Sequence, residues 1–266
     1  MHSKSLFSFS VITLLLLGAC GSSQKEEATD DSSETQESQA APVITLNKLE
    51  GSPEYQDASL QLVSPALDAV DTGSTAFSFA VENYELGVQT EGAGVNGLAN
   101  SGKGQHIHLI VDNGPYSAHY EPNFEKELTP GSHVVLAFLS RSYHESVKNP
   151  NAFAIRQFNV GGAEAADVDF TAPHMFYSRP KGIYAGADTK KLMLDFYLVN
   201  TDLSPDGNKV RATINGSEFL IDEWAPHVIE GLPMGEVTIK LELIDASGNG
   251  IPGPFNTVER TVTLEE

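Results

Sequence analysis

His106 and His108 stand two residues apart in the run Gln105-His106-Ile107-His108-Leu109-Ile110-Val111. The alternation predicts a strand, and on a strand both imidazoles share one face, roughly 7 Å apart at their Cα atoms. That spacing suits chelation, and imidazole suits Zn, Cu, Fe and Ni. His119, His133 and His144 follow, so five of the eight histidines fall within 39 residues and single out this block as the place where metal chemistry could occur. The candidate ligands are His106, His108, His119 and His144, with Glu121 or Glu145 as a carboxylate partner and Zn or Cu as the ion. His133 is set aside, because it aligns with the core-facing Val237 of a second, similar block. Residues 43–163 contain no Cys and no Met, which excludes a blue-copper centre by ligand type. The competing reading is that these histidines only hydrogen-bond loops to one another and to the backbone.

The densest polar cluster is Leu139-Ser-Arg-Ser-Tyr-His-Glu-Ser-Val-Lys148. Arg141, Ser142, Glu145 and Lys148 are candidates to bind an anionic group, with the guanidinium supplying a two-pronged fork for a carboxylate or phosphate. The plainer reading is a loop stapled by its own Arg141–Glu145 pair. Ser142 near His144 hints at an activated nucleophile, but neither a Gly-x-Ser-x-Gly elbow nor an oxyanion arrangement accompanies it, so no catalytic residue is assigned. Gly97-x-x-x-x-Gly102-Lys103 lacks the following Ser or Thr and leads into a strand instead of a helix, so it is not a phosphate loop. Asp167-Val168-Asp169 and Asp202 to Asp206 do not complete a calcium loop. Trp224, Tyr84 and Tyr116 could offer faces for stacking on sugars.

The elements that must position these groups are strands. Val43–Leu46, Phe77–Val81, Ile107–Val111, Val134–Leu139, Leu192–Val199, Val210–Ile214, Val237–Ile244 and Val258–Leu264 are short apolar alternations divided by Gly, Pro, Asn and Asp. Their order repeats. Val81-Glu-Asn-Tyr-Glu-Leu86 recurs as Leu198-Val-Asn-Thr-Asp-Leu203, and each copy continues through an Asn-Gly turn signal, at Asn113-Gly114 and Asn215-Gly216. Leu128-Thr-Pro-Gly131 and Leu232-Pro-Met-Gly235 then precede a long strand. Two such copies predict an all-β chain of two tandem Ig-like β-sandwiches, residues 43–163 and 164–266, with the boundary between 161 and 172. In the second copy Lys209, Arg211, Thr238, Lys240 and Glu242 face outward. The first copy puts His106, His108, Val134, Leu136 and Phe138 in those places, so that face must be covered by the other domain, by residues 43–60 or by a ligand. Cover from within the chain is the simpler expectation.

The remaining segments concern location. Lys4, an apolar stretch from Leu6 to Leu17 and Leu17-Gly-Ala-Cys20 read as a secretory signal, too short to span a bilayer. Leu17-Gly-Ala-Cys20 resembles the lipobox of bacterial lipoproteins, which implies removal of residues 1–19 and lipidation of Cys20, the chain's single cysteine. Gly21 after the cysteine resembles the outer-membrane sorting rule, and Lys25-Glu26-Glu27 is similar to a surface-export signal of Bacteroidota lipoproteins. Residues 20–42 form an acidic tether without Val, Ile, Leu or aromatics, unable to fold by itself, with a mean reach of about 25 Å. Net charge is −20. Such a polyanion is repelled by nucleic-acid phosphates, which excludes nucleic-acid binding. The block Gln105–Lys148, with His-Ile-His, Ala118-His-Tyr-Glu-Pro122 and Ser140-Arg-Ser-Tyr-His-Glu-Ser146, resembles a family of Bacteroidota outer-membrane lipoproteins, some labelled phosphopeptide-binding. The resemblance implies an outer-membrane lipid anchor facing the periplasm or the cell surface, and a fold. It brings no established activity. The function expected is therefore a lipid-anchored, non-catalytic binding or scaffold module for an envelope protein or small ligand, with Zn or Cu binding by the histidines as the alternative.

Overall fold

Strand-forming alternation in the sequence becomes strand throughout, and the computed structural model, which describes residues 43–266, contains no α-helix among them. The expected signal, the Cys20 lipid site and the acidic tether lie outside the described residues.

The strands of the first half are β1 (Thr45–Lys48), β2 (Ser59–Ser64), β3 (Ala69–Val70), β4 (Gly73–Glu82) and β5 (His106–Val111). They continue with β6 (Ser117–His119), β7 (Asn123–Leu128), β8 (Gly131–Ser140) and β9 (Phe153–Val160). The second half contributes β10 (His174–Arg179), β11 (Ile183–Ala185), β12 (Leu192–Val199) and β13 (Lys209–Ile214). It ends with β14 (Ser217–Ile221), β15 (His227–Glu230), β16 (Gly235–Ile244) and β17 (Thr257–Glu265).

Each half closes as a sandwich. In the first, the sheet β2-β4-β7 faces the sheet β3-β9-β8-β5-β6; in the second, β1-β15-β12-β10 faces β11-β17-β16-β13-β14. Both contain the same short parallel pairing at one edge, β3 with β9 and β11 with β17. The tandem Ig-like architecture is thus present. The internal repeat is also real at the level of backbone: Asn83 and Asn200, equivalent in the two copies, both adopt left-handed conformations.

Two expectations are corrected. Residues 45–48 do not join the first sandwich. They pair as β1 with β15 and complete the second sandwich's four-stranded sheet, so the chain enters the second sandwich before it builds the first. The first hairpin signal is also displaced by one residue. Asp112 and Asn113 carry the positive φ values, whereas Asn215-Gly216 forms its turn as read.

Phe77, Phe79, Leu109, Val135, Ala137 and Phe158 fill the first core, and Tyr177, Leu194, Phe196, Val210, Ile239 and Leu241 the second. Each fully buried large side chain contributes about 1.5–3 kcal/mol. With no cysteine in residues 43–266, that packing and the ladders hold both halves.

The described residues fall within one compact unit, because a third apolar layer lies between the sandwiches. Val134, Leu136 and Phe138 of β8 and Ile110 of β5 pack on Phe176 of β10 and Tyr197 and Val199 of β12. This is the cover expected for the unusual face, and the other domain supplies it. Every residue of β12 is buried, as is every residue of β10. A sheet covered on both faces needs apolar side chains at both parities, which is why Leu192-Met-Leu-Asp-Phe-Tyr-Leu-Val199 reads as a continuous run.

Candidate metal centre

The β5 alternation sends Ile107 and Leu109 into the first core and His106 and His108 to the seam, where both are fully buried. His144 arrives from the turn after β8. That turn closes through Arg141 N donating to Glu145 O at 2.8 Å and His144 N donating to Arg141 O at 2.9 Å. His144 itself sits at φ +74°, a left-handed conformation uncommon for a residue with a side chain. The turn aims its ring at the β5 pair.

The three side chains converge, with one nitrogen of each within 4.8 Å of the others. His106 Nε2 lies 2.8 Å from His108 Nε2 and 3.2 Å from His144 Nδ1. Outer contacts orient the rings. His106 Nδ1 is 2.8 Å from the Gly104 carbonyl, an acceptor only, so Nδ1 carries the proton and Nε2 presents its lone pair to the cluster. His108 Nδ1 is 3.3 Å from Ser178 Oγ of β10, which can donate or accept. A single lone pair on His106 Nε2 cannot accept well from two neighbours. Three converging imidazole nitrogens with no acid among them satisfy one another poorly and satisfy a cation well.

Burial also holds these rings neutral. Desolvation pushes the His106 imidazole down to about 4, against the Gly104 hydrogen bond, with the Arg179 charge lowering it further. Desolvation likewise drives His108 well down, helped by its two histidine neighbours, and drives His144 down, helped by Arg179. Neutral imidazole is the form that binds metal.

The expected ligand set is corrected from four histidines to three. His119 of β6 pairs with Ile107 across the ladder and so shares the face of Ile107, opposite the cluster. It bonds Ser117 Oγ at 2.8 Å and stacks on Phe124 with centroids 3.4 Å apart. Neither Glu121 nor Glu145 joins the cluster. His133 bonds Asp112 Oδ2 at 2.5 Å at the far end of β8.

The anion-binding candidates lie in a loop turned on itself. Arg141 Nη1 meets Glu145 Oε1 at 3.0 Å and donates to the Ser146 carbonyl at 3.0 Å, while Glu145 also accepts from Ser52. Lys148 Nζ lies 2.6 Å from Asp195 of the second sandwich. Ser142 Oγ accepts from Thr90 N at 3.2 Å, and the His144 ring bonds Tyr116 and His106 instead. The cations needed to grip an anion are engaged inside the fold, and the plainer reading, a stapled loop, describes this segment. Tyr116 and Trp224 are also turned inward, Tyr116 onto His108 and Trp224 onto Tyr197, and the Tyr84 hydroxyl is buried. Tyr116 therefore offers no face to a sugar, while Tyr84 and Trp224 are half-buried with their rings packed against Tyr55 and Tyr197.

Several neighbours of the cluster carry no sequence signal of their role. Tyr116 stacks on His108 with centroids 3.5 Å apart and places its hydroxyl 3.2 Å from His144 Nδ1. Ser178, Arg179 and Lys181 approach from the second sandwich. The one available clue was the doubly apolar run of β12, which marks its sheet as buried on both sides and so predicts a seam.

No protein-family model and no curated protein matches the chain. Among solved structures, the fibronectin(III)-like modules of Clostridium thermocellum CbhA align at 12% identity over 77% of this chain and 94% of theirs, with a TM-score of 0.28. The central fibronectin-III array of RIM-binding protein aligns at 13% identity over 82% and 71%, with a TM-score of 0.26. Bacteroides ovatus SGBP-B, solved with a mixed-linkage heptasaccharide, aligns at 12% identity over 77% and 70%, with a TM-score of 0.24. At these TM-scores the likenesses carry no argument, and the sandwich assignment rests on the chain's own strand order.

Proposed function

We propose that this chain is a lipid-anchored envelope protein whose tandem sandwiches form a transition-metal-binding module, with His106, His108 and His144 as the ligands of a Zn or Cu ion. The observation that carries the reading is the convergence of three imidazole nitrogens within 4.8 Å at the seam between the sandwiches. The rings are pre-oriented by Gly104 and Ser178, the outer-shell arrangement that sets tautomer and ring angle at metal sites. Two of the ligands come from one strand and the third from a turn of fixed geometry, so little conformational entropy remains to be lost on binding. The role is one of binding, and no reaction step is assigned to it. Lipidation at Cys20, an outer-membrane anchor and the acidic tether complete the reading, supported by Leu17-Gly-Ala-Cys20 and the composition of residues 21–42. The tether would hold the module clear of the membrane, facing the periplasm or the cell surface.

The test is elemental analysis of the mature chain from Cys20 onward, purified without chelator from cells supplied with Zn and Cu. Stoichiometric metal in the wild type, lost in His106→Ala/His108→Ala, is the expected result. Metal-free wild-type protein that also fails to take up added Zn or Cu would overturn the reading, as would full occupancy in the double variant. Because two Ala substitutions leave a cavity, His144→Asn supplies a second variant that keeps the turn.

A further inference from the structure

Two positive charges approach the three-histidine cluster from the second sandwich without a carboxylate to meet them. Lys181 Nζ sits 3.9 Å from the centre of the Tyr116 ring and donates to the Tyr116 carbonyl at 2.8 Å. The Arg179 guanidinium carbon lies 5.3 Å from the same ring. Among the described residues neither cation forms an ion pair, and the buried Arg179 Nε has no hydrogen-bond partner. In a chain with 36 acidic residues against 16 basic ones, two cations without a carboxylate partner beside the Tyr116 ring favour the ionised form of its hydroxyl.

Tyr116 is the group on which both converge. Its ring is stacked on His108 on one side and approached by Lys181 and Arg179, and its hydroxyl lies 3.2 Å from His144 Nδ1. A tetrahedral ion with bonds of about 2.0–2.1 Å places neighbouring donor atoms roughly 3.3 Å apart. The contacts found are 2.8 Å between His106 and His108, 3.2 Å between His106 and His144, and 3.2 Å between His144 and Tyr116 Oη. These three separations lie within about half an ångström of the tetrahedral value, so the His106–His108, His106–His144 and His144–Tyr116 edges of a four-donor site are close to formed.

We infer that Tyr116 is the fourth ligand of this centre, coordinating as phenolate in an N3O set, with Arg179 and Lys181 as the neighbouring charges that favour the ionised hydroxyl. The inference rests on the three-histidine reading and deepens it. On metal binding a metal–Oη bond forms, the phenol O–H bond breaks and the proton leaves to solvent. No electron changes hands. The bound unit of a divalent ion, three neutral imidazoles and one phenolate carries a single net positive charge. An oxygen donor of this kind suits Cu(II) or Zn(II) better than Cu(I).

Copper(II) chloride added to the metal-free mature chain in a non-coordinating buffer reads this directly. The wild type is expected to develop a visible phenolate-to-Cu(II) charge-transfer band as it takes up the metal. Tyr116→Phe, which keeps the ring and its stacking, should still bind Cu(II) through the histidines, lack the band, and bind on the order of tenfold or more weakly in competition with a chelator. Tyr120→Phe, at a ring 5.0 Å from His106 whose hydroxyl bonds Ser101 instead, should retain band and affinity. Stoichiometric Cu(II) uptake by the wild type without the band would overturn the Tyr116 assignment and leave the histidine site standing, as would equal affinity in Tyr116→Phe. No Cu(II) or Zn(II) uptake by the wild type would overturn both.

Discussion

Lys148 of the first sandwich and Asp195 of the second meet across the seam with Nζ and Oδ1 2.6 Å apart, and Asp195 is fully buried. The carboxylate also accepts the Ser146 backbone N–H at 3.0 Å. Asp195 is the one charged position in the β12 run. Removing the cation alone strands a buried charge, so Lys148→Met should lower the unfolding free energy by about 3–5 kcal/mol. Lys148→Met/Asp195→Leu should recover most of that loss, since replacing both members of a buried pair by apolar groups is often neutral. Chemical denaturation of the four proteins in a double-mutant cycle checks this. A single variant as stable as the wild type would show that the pair does not tie the halves together.

His144 separates binding from stability. Its φ of +74° is one that Asn tolerates better than most residues. His144→Asn should therefore keep the melting temperature close to that of the metal-free wild type while weakening Zn or Cu affinity on the order of a hundredfold. Isothermal titration beside a thermal melt reads both quantities. Unchanged affinity would remove His144 from the site.

Two histidines away from the centre should give opposite pH responses. His133 is raised, with Asp112 Oδ2 at 2.5 Å and the Thr129 carbonyl outweighing partial burial. A raised folded value means its contribution is fully present below the unfolded value of about 6.5 and is lost as pH climbs through the folded one. His119 is lowered to about 4 by burial, with the Lys126 charge adding. Its contribution is present above about pH 6.5 and is lost as pH falls towards 4. Against the wild type, His133→Gln should be most destabilising near pH 5.5 and least near pH 8. His119→Gln should gain relative stability as pH falls from 7 to 4.5. Urea unfolding at four or five pH values decides both.

Cys20→Ser should move the protein from the membrane fraction to the soluble fraction of the envelope without changing its melting temperature. No second cysteine exists for a disulfide, and packing alone holds both sandwiches. A soluble, equally stable variant that still carries no lipid label is the expected outcome; membrane retention would refute the anchor.

The sequence by itself determined eight of the seventeen described strands, the repeat and the face shared by the histidine pair, because strand periodicity is local: two residues apart means one side of a sheet. His106 and His108 were legible as a pair for that reason, and Val134, Leu136 and Phe138 marked their face as covered. Only the tertiary structure decided which elements stand opposite one another. His119 fell out because the β6 register sets it against Ile107 instead of His106. Residues 45–48 crossed to β15, a partner some 180 positions away, and no local pattern encodes such a closure. The hairpin tip at Asn113 shows the same limit. Its side chain accepts from Tyr177 N at 2.8 Å and donates to the Phe255 carbonyl at 2.9 Å, locking the first sandwich to the second. An Asn in a turn signals the bend through its backbone preference, whereas what its amide grips depends on a surface brought there by folding. Arg179 and Lys181 reached the histidines the same way, carried in by the seam.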